Sequence, residues 1–296
     1  SERQFAYCKP SMQVIRTILL MSSSQHSPTT PHMNNKKPSF VSDTKKRDSS
    51  STSSVETVLG LGSLLSERSA RTTFPNLRRF RLGRVPNHRR VFGHTPHIFH
   101  DRGIADWDTL EMSSLCAEYH PGSSFICSVF DIDPEEEEEE GEESSSGKSF
   151  REDFLEREEE FEIEIVEYQD FGEVKEGDLV DSTNTEDTGS MGILCLKSTD
   201  DAYIERWGKD RYAAKYTKKG INTIWGWNED SGLKPCAPYL RHCVLAAERM
   251  GDACFASFLD ETFLVDRTTT IRDYLEKNPH VMKTSPPPEL AERYGG

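Results

Sequence analysis

No two of the seven cysteines form a Cys-x-x-Cys pair, which excludes the commonest zinc and dithiol layouts. Several stand among apolar neighbours, as in Phe125-Ile-Cys-Ser-Val-Phe130, the pattern of buried reduced thiols rather than of a disulfide framework. No apolar run approaches the roughly 20 residues that a membrane helix needs, so a soluble chain is expected, with no membrane partner. A basic excess is also missing. Thirty-six Lys and Arg face 51 Asp and Glu, for a net charge of -15, and without a clustered basic face nucleic acid is not an expected partner. Apolar residues make up only 34% of the 296, so one or two domains are expected alongside segments that join no core.

The first such segment is 1–54. It is rich in Ser, Thr, Asn, Pro and Lys, and its only acids are Glu2, Asp43 and Asp48. Such a composition cannot bury enough apolar surface to offset its ordering entropy, and disorder is expected. Its hydroxylated, acid-poor stretch over 12–50 also fits an organelle transit peptide. Localisation therefore reads as cytoplasmic, or as plastid or mitochondrion if that stretch is a targeting signal.

From Val55 the pattern is mixed α and β. Val55-Glu-Thr-Val-Leu59 predicts a buried strand that opens into Gly60-Leu-Gly-Ser-Leu-Leu65. Two glycines free that turn to aim backbone N–H groups at an anionic ligand. Arg79 to Val85, continued by Arg89 to Phe92, alternates apolar and basic residues, which predicts a strand with a solvated basic face. Leu110–Ala117 and Ser124–Ile132 flank His120-Pro-Gly122 and predict a hairpin. Residues 133–148 carry a run of glutamates that repel one another, read as a solvated insertion. Further on, 191–196 reads as a strand. The aromatic stripe of 200–218 reads as core packing, Ile224-Trp-Gly-Trp227 as a border of a pocket mouth, and 266–277 as a threonine-capped helix.

The helix-forming run Phe150 to Phe161 passes directly into the alternating strand Phe161 to Tyr168. Glu158, Glu159 and Glu160 sit at that junction, where successive positions point in different directions. A carboxylate turned into an apolar pocket has its pKa raised and becomes a proton shuttle; a solvated helix end with three idle glutamates is the plainer alternative.

In this order the motifs resemble those of the γ-glutamylcyclotransferase superfamily. Leu61-Gly62-Ser63-Leu64 matches the family's opening Tyr-Gly-Ser followed by Asn or Leu. Leu155-Glu-Arg-Glu-Glu159 matches the leucine four residues before the family's catalytic glutamate, and Pro235-Cys-Ala-Pro-Tyr239 is similar to its late Pro-Ser-x-x-Tyr. The resemblance spans Val55 to Gly251. Leu61 replaces the tyrosine, Cys236 the serine and Glu160 a following glycine, so the likeness is to a divergent branch.

The resemblance implies an α+β fold, a mixed β-barrel or sheet with flanking helices, over 55–251; residues 252–296 lie outside it and read as a C-terminal helical extension and tail. It implies cyclisation of a γ-glutamyl amide to 5-oxoproline with release of the amine, on a small-molecule γ-glutamyl substrate, without metal or cofactor. Glu159 would then be the catalytic base and acid, and Gly62, Ser63, Leu64, Leu65 and Tyr239 would bind substrate. The lost tyrosine and serine keep a second expectation open, a non-catalytic ligand-binding or regulatory protein on the same fold.

Overall fold

The computed structural model describes residues 55–132, 154–155, 157–171 and 189–294. The N-terminal segment, with its transit-peptide reading, and the glutamate-rich insertion lie outside the described residues, as does much of the 150–161 helix. In chain order come Glu56–Gly60 (β1), a 3-10 turn at Ser63–Leu65, Glu67–Arg71 (α1), Arg78–His94 (β2), His97–Asp101 (α2) and Glu111–Ile132 (β3). Next are Glu162–Asp170 (β4), Ser190–Leu196 (β5), Asp200–Trp207 (α3), Lys209–Lys215 (α4) and Lys234–Pro235 (β6). Ala237–Arg249 (α5), Asp252–Asp260 (α6), Thr262–Leu264 (β7), Ile271–Lys277 (α7) and Ala291–Tyr294 (α8) complete the order. All belong to one unit.

The fold is α+β, and five of its strands close into a barrel. β1 runs antiparallel to β3, β3 to β2, β2 to β4 and β4 to β5, and β5 returns parallel to β1 through Val58 and Ile193. β7 extends β2 in parallel and β6 joins the start of β3. Closure removes the barrel's open edges, and Leu59, Val85, Phe125, Val129 and Leu194 pack together as one buried cluster.

The two strands expected to form a hairpin are instead the two halves of β3, and both pair with β2. Val85 faces Phe125 and His88 faces Tyr119, so His120 to Ser123 bulge out opposite Asn87 alone. Asn87 takes a left-handed φ of 54° and its Oδ1 accepts from the Gly122 N–H at 3.2 Å. Gly122, at φ 83°, tolerates that bend where a Cβ would not. The Pro-Gly signal thus marks a bulge that re-aims the strand.

The basic stripe on β2 is not the solvated face expected of it. Arg81 is buried and bonds Asp170 at 2.7 Å, Tyr168 Oη at 2.9 Å and Asp131 at 3.2 Å. Arg90 is wholly buried between the rings of Phe125 and Phe258, 5.0 and 4.9 Å from their centroids. Arg89 and Arg84 pair with Glu118 and Glu261. A buried cation needs partners, and these come from strands and helices far away in sequence.

Outside the barrel, α5 presents Leu240, Cys243, Val244 and Ala247 at helical spacing. These pack with Phe258, Leu264, Ile271, Tyr274 and Tyr294 in one cluster, so the described part of 252–296 shares the core of α5. The Thr270 Oγ1 caps α7 by accepting from the Asp273 N–H at 3.1 Å. The single amphipathic run after 200 divides into α3 and α4 at Gly208, whose φ is 89°. The six cysteines among the described residues are free thiols, five of them buried.

Candidate active site

A cavity of about 560 Å³ opens where β1 ends. Its wall holds Gly62, Ser63 and Leu64 from the turn, His94 from β2, Ser114 and Leu115 from β3, Glu158 to Phe161, Tyr239 from α5, and Arg293 and Tyr294 from α8. The structure thus brings Glu159, Gly62, Ser63, Leu64 and Tyr239 to one site. Leu65 is not on that wall. Its side chain is buried in the core, and its N–H closes the turn onto Gly62 O at 2.9 Å, so this N–H is spent within the turn.

The glycines of the turn are there for closeness. A Cβ on Gly62 would meet the Tyr239 hydroxyl at 2.2 Å and Leu115 Cδ1 at 3.1 Å, and one on Gly60 would meet Ser128 Oγ at 2.3 Å. Ser128 uses that proximity to donate to Leu64 O at 2.8 Å. Tyr239, just inside the N-terminus of α5, lies edge-on to Phe92 and tilted against Phe99. Its hydroxyl lies beside the Ser63 backbone and Cys243, and burial raises its pKa well above the usual phenol range. Cys236, at the position of the expected serine, is the N-cap of α5. Its thiol, pushed up to about 12 by burial, donates to Ile104 O at 3.1 Å.

The three glutamates occupy a turn after the helical residues Phe154 and Arg157, and each has its own surroundings. Glu159 is 5% exposed and its oxygens are taken: Oε1 accepts from the Tyr203 hydroxyl at 3.0 Å and pairs with Lys215, and Oε2 pairs with Arg211. Glu160 accepts from the Tyr216 hydroxyl and lies 3.0 Å from His94 Nε2. Glu158 is more loosely held, with the Arg157 guanidinium 3.7 Å away. Burial raises its pKa above the usual carboxylate range; the charge of Arg157 opposes this, that of Glu160 adds to the rise, and His94 and Arg293 oppose it more weakly. Its side chain keeps 27% exposure, enough to meet a ligand.

Two indoles hold this turn. Trp207 Nε1 donates to Glu159 O and Trp225 Nε1 to Glu160 O, both at 2.9 Å. The aromatic stripe read as core packing is therefore also the clamp on the glutamate turn. Trp225 stacks behind His94, centroids 4.5 Å apart, and neither it nor Trp227 borders the cavity.

Sequence reasoning missed His94, Ser114, Arg293 and Tyr294 as wall residues. The polar pair Ser113-Ser114 inside an apolar strand was a signal for the second of these; the last two stand in a proline-rich tail with no pattern to mark them. Among the described residues no group of three or more His, Cys, Asp or Glu is placed to hold a metal ion, and no helix is long and apolar enough to cross a membrane.

No protein-family profile and no curated protein sequence matches the chain. Among solved structures it is similar to a γ-glutamyl cyclotransferase at 12% identity and a TM-score of 0.31, over 49% of this chain and 68% of the other. An ensemble-refined crystal structure of an uncharacterized protein from Homo sapiens matches with the same identity, TM-score and share of this chain, over 67% of its own length.

Proposed function

We propose that the cavity takes a γ-glutamyl amide and closes it to 5-oxoproline with release of the amine, and that Glu158 carries the proton. One observation supports this most. A partly exposed carboxyl with a raised pKa shares a cavity wall with an open Gly-Ser-Leu turn and a buried tyrosine. A carboxylate of raised pKa is a better base than an ordinary one, and its conjugate acid keeps its proton to higher pH than a free carboxyl does.

In this reading the substrate's α-amine attacks its own γ-carbonyl. Glu158 accepts the proton that the amine sheds and passes it to the leaving nitrogen, so one group serves both halves of the reaction. Because the nucleophile is in the same molecule, the site only has to fold the substrate into the attacking conformation. The Gly62, Ser63 and Leu64 backbone and the Ser63 hydroxyl hold the substrate carboxylate or the developing oxyanion, where losing one donor costs about 3 kcal/mol of barrier. Glu159, tied to Arg211, Lys215 and Tyr203, keeps the turn that carries Glu158 in place.

A second reading, retention of a γ-glutamyl ligand without turnover, draws on the same ion pairs: a proton shuttle at Glu159 would have both oxygens occupied. The experiment that separates the two is incubation with a panel of γ-glutamyl amides, followed by NMR for 5-oxoproline and calorimetry for binding. Product from the wild type that is lost in Glu158→Gln supports the enzyme. Binding with no product from any amide supports the second reading.

A further inference from the structure

We propose that Ser114, His94 and Glu160 form a nucleophile, base and carboxylate relay in the cavity wall, and that Ser114 Oγ accepts the acyl group of a small ester or activated amide. The chemistry is independent of the cyclisation reading and needs no γ-glutamyl ligand.

The relay is built by the barrel. His94 and Ser114 are cross-strand partners of β2 and β3, and His94 Nδ1 lies 2.6 Å from Ser114 Oγ. On the other side of the ring, Nε2 lies 3.0 Å from Glu160 Oε2. A carboxylate at Nε2 favours the tautomer with its proton there. The Nδ1 lone pair then faces the serine, so the hydroxyl donates to the imidazole. A nucleophile within reach of a base that is itself oriented by a third group is the geometric signature of covalent catalysis.

The parts are rigid. The His94 ring is 2% exposed and sits between Trp225 and Phe161, with centroids 4.5 and 4.6 Å away. Glu160 is held by the Tyr216 hydroxyl, and its backbone carbonyl by Trp225 Nε1. Nε2 is buried without an aligned hydrogen bond, so its contact with Glu160 is one of charge, and Glu160 is a positioning residue that steadies an imidazolium. His94, Ser114 and Glu160 all border the cavity, which distinguishes them from a polar pair sealed in a core.

In the acylation step the Ser114 O–H bond breaks, its proton goes to His94 Nδ1, and Oγ bonds to the substrate carbonyl carbon. The bond from that carbon to the leaving oxygen or nitrogen then breaks, and the leaving atom takes the proton from Nδ1. Water reverses the sequence, giving a carboxylic acid and the free serine. No oxidant or reductant is involved.

The test treats the full chain with p-nitrophenyl acetate or an alkyl fluorophosphonate and locates the adduct by peptide mass mapping. The wild type is expected to carry it on Ser114 and Ser114→Ala to lack it. His94→Gln should label about 100-fold more slowly, at the low end of the usual contribution of a general base. Glu160→Gln should slow labelling and Glu160→Asp recover part of the rate, a rescue that loss of packing alone would not show. Ser198→Ala, outside this cavity, should label as the wild type does. Should His94→Gln fail to fold, Ser114→Cys replaces it, and iodoacetamide is expected to modify the introduced thiol faster than the seven native ones. No adduct on Ser114, adducts only on exposed residues, equal rates with and without His94, or an introduced thiol no faster than the native ones would overturn the proposal.

Discussion

Gly62→Ala probes the joint between fold and site. The new Cβ would stand 2.2 Å from the Tyr239 hydroxyl, 3.2 Å from its Cζ and 3.1 Å from Leu115 Cδ1. None of the three can retreat freely, because Tyr239 is packed against Phe92, Phe99 and Tyr294 and Leu115 is in the core. Overpacking of this kind costs about 1–3 kcal/mol, a fall in Tm of roughly 2–12 °C for a domain of this size. Tyr239→Phe alone gives up the polar contacts of the hydroxyl with the Ser63 backbone and Cys243, at most about 0.5–1.5 kcal/mol. The double variant removes the atom that makes the worst clash, so its cost should fall short of the sum of the singles by about 1 kcal/mol or more. Thermal or urea unfolding of the four proteins measures this as a double-mutant cycle. Additive costs would refute the close approach of turn and tyrosine.

Three further outcomes follow from buried charge. Asp131→Ala removes a partner of the buried Arg81 along with bonds to Thr57 and Arg79, and stability measured by urea titration should drop by about 3–5 kcal/mol; a loss under about 1 kcal/mol would contradict the network. Because burial raises the Glu158 pKa in the fold, its ionisation works against folding. Glu158→Gln should match the wild type below about pH 4, exceed it increasingly as pH rises from the unfolded-state toward the folded-state pKa, and keep that margin above it; urea midpoints across that range check the sign, and a growing disadvantage for the variant would reverse it. Among the described residues no carboxylate forms an ion pair with Arg90, whose charge burial disfavours. Arg90→Met should therefore keep wild-type stability to within about 1.5 kcal/mol, whereas Arg90→Ala, which empties the slot between Phe125 and Phe258, should lose roughly 3 kcal/mol or more by calorimetry.

What is legible in the sequence is local. β1 and its Gly-Ser-Leu turn can be read because Gly60 and Gly62 stand where backbone and neighbours crowd, and the capped helix at 271–277 can be read because Thr270 announces it. The bend of β3 is misread as a hairpin because Pro121-Gly122 signals a turn whether the chain reverses or only bulges; the partner strand decides, and its Asn87 lies 35 residues before Gly122. The basic residues of β2 are misread for a similar reason, since Asp131, Asp170, Glu118 and Glu261 come to them only in the folded chain. At the glutamate run the sequence shows three equal carboxylates. Tyr203, Lys215 and Arg211 single out Glu159, and Tyr216 and His94 single out Glu160. These partners lie far from the run on both sides of it, in neither a motif nor a repeat. The contribution of Arg293 and Tyr294 to the cavity wall leaves no mark at all.

The proposed proton transfer rests on one partly exposed carboxyl, Glu158, in the cavity wall. It is tested most directly by measuring 5-oxoproline release from a γ-glutamyl amide by the wild type, Glu158→Gln and Glu159→Gln, with unfolding midpoints taken on the same samples. Product is expected from the wild type, none above background from a fully folded Glu158→Gln, and a Glu159→Gln protein should be less stable but still turn over. Full activity in Glu158→Gln, with activity abolished in a folded Glu159→Gln, would contradict this role of Glu158.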